Sequence, residues 1–162
     1  MWTMRNKKAR NGFSLIELLI VVAIIGVIAA IAIPNLLASR RAANEASALS
    51  SLRTIHSCEA TYQASTGFGD YASLPALTVQ TLTDSVLGSG IKSGYNFEVN
   101  ATAPGVRPAL YYAFALPSST SGVAKTGTRR FAGSDDGMLR ADTNLTAPAD
   151  EAAVQAMPPV GN

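Results

Sequence analysis

The feature that most constrains this chain is an apolar run from Phe13 to Ile33 that carries a single ionisable residue, Glu17. About 20 helical residues, at 1.5 Å each, cross a 30 Å hydrocarbon core. A helix that is oily on every side is buried in a large protein or spans a membrane, and this chain is too short for a large interior. Arg5, Lys7, Lys8 and Arg10 precede the run with no acid among them. Such a cluster keeps its own end cytoplasmic and sends the C-terminal part outward. A charged carboxylate within a membrane segment costs about 2.5–3.5 kcal/mol at its centre and less near the interface. Glu17 therefore marks a functional position.

The charge balance follows from this split. The formal net charge is +2, from 13 basic and 11 acidic residues. Setting aside the four cations before the run leaves nine basic against eleven acidic residues, so the basic character belongs to the N-terminal end. No arginine–lysine stripe with interleaved aromatics marks a nucleic-acid face, and Arg129-Arg130 is the one adjacent basic pair beyond Arg41. Cys58 is the sole cysteine, which excludes an internal disulfide and reads as a small buried residue on a helix. His56, the one histidine, has only Cys58 and Glu59 nearby in sequence; they form no closed ligand set, and it reads as a surface or helix-packing residue.

A secretory signal would place a small-residue cleavage site after the apolar run, and Ala29-Ala30-Ile31-Ala32 offers one. The length of the run and the early glutamate argue against that reading. The stretch Lys8-Ala9-Arg10-Asn11-Gly12-Phe13-Ser14-Leu15-Ile16-Glu17-Leu18-Leu19-Ile20-Val21-Val22-Ala23-Ile24-Ile25-Gly26, followed by Pro34, resembles the N-terminal signature of type IV pilins and related pseudopilins. The resemblance covers about 30 residues. It implies a leader over residues 1–12, removed by a prepilin peptidase between Gly12 and Phe13, and methylation of the new Phe13 amine. It implies that Glu17 recruits and registers incoming subunits, that 13–34 is a transmembrane and filament-core helix, and that 35–162 forms the head. The implied function is a structural subunit of a type IV pilus serving adhesion, twitching motility or DNA uptake. The implied partners are copies of itself in a helical filament, the peptidase and methyltransferase, and an assembly platform with its ATPase. The precursor would reside in the bacterial inner membrane and the fibre at the cell surface. A pseudopilin of a type II secretion system, confined to the periplasm, is the nearest alternative. A membrane-tethered binding module is the other, with nucleic acid left open as its ligand. No catalytic residue, cofactor or metal is implied.

The residue types suit these roles. Gly12 lets the backbone enter a protease without a side chain in the way. Cleavage would leave a positive amine on Phe13, and Glu17 is the only acid before Arg41 able to neutralise it in a neighbouring subunit. Desolvation offsets most of the attraction in such a buried pair, so the pair fixes stagger more than it adds stability. The helix dipole also favours an acid in the first turn. Pro34 lacks an N–H and crowds the carbonyl of Ala30, and Gly26 weakens the helix further. The segment between them is expected to kink, or to lose helical structure when a subunit enters a filament.

Beyond Pro34 no glycine or proline appears until Gly67, and alanine is abundant. A single helix from about 14 to 65, roughly 75–80 Å long, is expected. Ala48, Leu52, Ile55 and Tyr62 fall on one face, with Glu59 an exception at its edge. Residues 67–94 read as a connector with a short helix over Val79–Leu87 closed by Gly88. Alternation predicts strands over 95–99 and 110–116, with 129–133 and 138–141 flanking Ser134-Asp135-Asp136-Gly137. Asp136-Gly137 predicts a tight turn with both central residues at positive φ. The fold class is α+β, a long N-terminal helix packed on a three- or four-stranded antiparallel sheet, with an irregular tail from Thr143. Asp135, Asp136, Asp142, Asp150 and Glu151 could suggest calcium, which some of the resembled pseudopilins bind in a C-terminal loop, but they match no EF-hand spacing and read as turn and surface chemistry. Asn100-Ala101-Thr102 and Asn144-Leu145-Thr146 match the glycosylation triplet, a pattern that often arises by chance.

Overall fold

The structure, a computed structural model, describes residues 12–161 and divides into two compact units, Met1–Leu37 and Ala38–Asn162. Residues 1–11 of the expected leader lie outside the described residues. Helix α1, Leu15–Ala64, begins in the first unit and ends in the second, within a residue of the expected bounds. In the first unit it runs unbroken through Gly26 and Pro34. The proline forfeits one backbone bond, yet the flanking alanine- and leucine-rich turns hold the helix on either side.

In the second unit five antiparallel strands lie in chain order: β1 Ile91–Lys92, β2 Tyr95–Ala101, β3 Tyr111–Pro117, β4 Arg130–Ser134 and β5 Leu139–Asp142. The strand beyond expectation is β1, only two residues long. It exists because Ser93 and Gly94 both take positive φ (49° and 73°), the backbone of a two-residue hairpin turn pairing Lys92 with Tyr95. The turn expected at Asp136-Gly137 takes a different form. Only Gly137 of that pair is left-handed (φ 73°), and its N–H donates to Ser134 O at 3.1 Å within a longer loop.

Side chains alternate across the pleat. Tyr95, Phe97, Val99, Tyr111, Ala113, Ala115 and Phe131 join Ala48, Leu52 and Ile55 of α1 in the main core. On the opposite face Phe114 and Ala132 pack with Val154 and Met157 in a smaller cluster. Val154 belongs to helix α4, Glu151–Gln155, which the expected irregular tail did not foresee. The tail also pairs with β5: Ala141 N–H donates to Pro158 O at 3.0 Å and Val160 N–H to Leu139 O at 2.8 Å. The single helix expected over Val79–Leu87 is instead two short ones, α2 Leu74–Val79 and α3 Ser85–Gly88. Thr81 at φ 57° breaks the run, and Asp84 restarts it by accepting from Leu87 N–H at 2.8 Å.

Candidate assembly segment

The described part of the segment that carries the resemblance, residues 12–26 with Pro34, is exposed along its length. Gly12 and Phe13 precede the helix, and Phe13 is 75% exposed. The first backbone bond runs from Leu18 N–H to Ser14 O at 3.2 Å, which makes Glu17 an acid of the first turn. There its charge favours the unpaired N–H groups of the helix start. Among the described residues Glu17 has no ion-pair partner. Leu15, Ile16, Leu18, Leu19, Ile20, Ile24, Ile25, Val27, Ile28, Ile31 and Ile33 are all exposed. A Cβ added at Gly26 would meet nothing within 4 Å, so no contact among the described residues requires glycine there. The helix has the length and composition to cross a membrane, and none of its apolar stretch is buried. Such a surface is stable only in lipid or against other protein.

The remaining candidates sit in the second unit, where most are consumed by packing. Glu45 accepts from Thr128 N–H at 2.7 Å, from Thr128 Oγ1 at 2.6 Å and from Arg129 Nε at 3.0 Å. Burial raises its pKa, but those bonds outweigh it and hold the carboxyl below its usual value. Arg129 also lies over the Phe131 ring, 5.3 Å from its centre. Arg130 is buried and grips both carboxylate oxygens of Asp142 at 2.7 Å. The adjacent arginines thus serve internal pairs, one on each side of β4, and form no open cationic patch.

The acidic residues weighed for calcium are similarly engaged. Asp136 is paired with Arg140, whose guanidinium lowers the carboxyl pKa to about 2. Asp150 caps α4 by accepting from Ala153 N–H at 2.8 Å. Glu151 is pushed upward by burial and by the neighbouring Asp135. Asn144 Oδ1 accepts from Thr146 N–H at 3.1 Å in a local turn. Cys58 is buried and its Sγ donates to Leu82 O at 2.8 Å. His56 is half-buried, and its Nδ1 shares a 2.5 Å hydrogen bond with the Tyr111 hydroxyl.

Glu59 corrects the sequence reading. It sits at the centre of the buried face of α1 with no exposed surface, not at its edge. Oε2 accepts from Ala72 N–H at 3.0 Å, while Oε1 is buried with no partner among the described residues. Burial raises its pKa to about 7. Helical spacing, four residues beyond Ile55, places Glu59 on that face.

Comparison with known proteins bears on the N-terminal segment alone. The prokaryotic N-terminal methylation motif is matched over residues 7–33. The chain is 64% identical over 42 residues to the type IV wide pilus major component PilA4 of Thermus thermophilus. That stretch covers 26% of this chain and 30% of the relative. No solved structure matches significantly.

Proposed function

We propose that this chain, whose N-terminal segment is of the type IV prepilin kind, is a structural subunit of a pilus filament assembled from the inner membrane. The observation that carries the reading is the apolar stretch of α1, none of it buried, bearing one carboxylate in its first turn within the matched methylation motif. Residues 1–12 act as the leader, 13–34 as the anchor and filament core, and 35–162 as the head. Prepilin peptidase cuts between Gly12 and Phe13, and the Phe13 amine is then methylated. That amine meets Glu17 of an adjacent copy, where pairing offsets the cost of removing both charges from water and sets the stagger. Gly26, which no contact among the described residues requires, and Pro34 loosen the helix between them when the subunit leaves the membrane. A pilus is favoured over a secretion pseudopilus because the relative is named as a pilus component.

The test is the mass and N-terminal residue of the mature protein. Loss of residues 1–12 with about 14 Da of added methyl mass is expected. An intact leader on protein recovered from cells overturns the reading.

A further inference from the structure

The head presents one aromatic side chain in a way that its own fold does not explain. Phe68 is 88% exposed and adopts φ 49°, a backbone conformation costly for a bulky residue. Arg107 pins it there. Its guanidinium donates to Gly69 O at 3.2 Å and to Phe68 O at 3.4 Å, and it pairs with Asp70. Asp70 in turn accepts from Gly105 N–H at 3.0 Å. Val106, next to the clamp, is half exposed. Arg107 on the Phe68 and Gly69 carbonyls, and Asp70 on Gly105, thus hold a strained loop with its ring in water.

The same unit carries an unfilled apolar recess of about 250 Å³ between α1 and the β4–β5 turn. Leu52, Arg53, His56, Tyr111, Met138 and Leu139 line it. The recess has room for one aromatic side chain. Met138 is half exposed and flexible enough to close over a guest. Arg53 is exposed and makes no ion pair among the described residues, which leaves its guanidinium to stack on a ring.

We propose that Phe68 of one copy seats in the recess of a neighbouring copy, as a head-to-head contact within the fibre. The inference rests on the filament reading above. Knob and recess are different patches of one subunit, so the contact is heterologous and propagates instead of closing into a dimer.

The test uses the full-length chain in cells that assemble it. Val106→Cys, beside the knob, is combined with Thr54→Cys, next to Arg53 at the recess, in a Cys58→Ala background that keeps Phe68 and Met138, and sheared fibres are treated with a short bismaleimide. A covalent ladder extending beyond the dimer is expected. A control pairing Val106→Cys with Val123→Cys, which lies on an exposed loop outside the recess lining, should give none. Separately, Phe68→Ser should lower fibre yield by about tenfold, as for a central interface aromatic, with precursor amount and melting unchanged and Phe68→Leu largely preserved. Fibres without a ladder, a ladder equally strong in the control, or full yield from Phe68→Ser overturns this contact alone. A parent chain that forms no fibres overturns the filament reading and this contact together.

Discussion

Between Leu15 and Leu37 helix α1 buries nothing, whereas between Ala38 and Ala64 it buries Glu45, Ala48, Ser51, Leu52, Ile55, Cys58 and Glu59. Both stretches hold good helix formers and both are helical, so propensity does not separate them. The oilier half is the exposed one, and the half with buried carboxylates is the packed one. This inversion teaches that the first half is shaped for an environment outside the chain, lipid or other copies, while the second completes its interior within it. A carboxylate therefore has different settings in the two halves: Glu17 has no ion-pair partner among the described residues, and Glu45 has internal ones.

The sharpest way to break the contrast is Glu17→Ala in the full-length chain. Fibre yield, read by electron microscopy and by sheared protein, should fall by about tenfold or more with precursor levels unchanged, because the proposed partner of the Phe13 amine is lost. Normal yield would show that Glu17 only marks a helix start. Next in size is Ile55→Ala, which removes a fully buried side chain. Melting of the full-length protein in detergent should reveal a loss of about 2–5 kcal/mol.

Glu59→Gln sharpens the comparison through pH. The folded state raises this carboxyl from 4.5 to about 7, so it keeps a proton that the unfolded chain releases in that window. Its contribution is full below about pH 4.5 and is lost as pH rises through about 7. The parent protein should thus lose up to about 3 kcal/mol between pH 5 and 8, by about 1.4 kcal/mol per pKa unit. The Gln variant should be flatter; an equal slope in both would place the burden elsewhere. The smallest effect is expected from Ile24→Ala, an exposed position of the apolar stretch. Melting of the second unit should shift by less than about 0.5 kcal/mol, and a larger shift would mean that the halves are not independent.

Much of the fold was legible because it is local. The helix bounds followed from alanine content and the gap in glycine and proline, and β2 to β5 from alternation and turn residues. Strand β1 was missed although Ser93-Gly94 is a turn dipeptide, since two residues carry no periodicity. The buried arginine pairs, Arg130 with Asp142 and Arg140 with Asp136, were not anticipated because charged residues were read as solvated surface. The candidate assembly residues were legible for a different reason: Gly12, Phe13, Glu17, Gly26 and Pro34 form one contiguous pattern in which order alone holds the information.

The sequence by itself determined the apolar run, its lone carboxylate, the four cations before it and the order of helix before sheet, since each depends on neighbours along the chain. Only the tertiary structure decided that Glu59 is sealed in, that the tail folds back along β5 and that Phe68 is braced outward by Arg107. Those outcomes join residues 13 to 39 positions apart, and whether water is excluded at such a meeting depends on the packed surface, which no local pattern encodes.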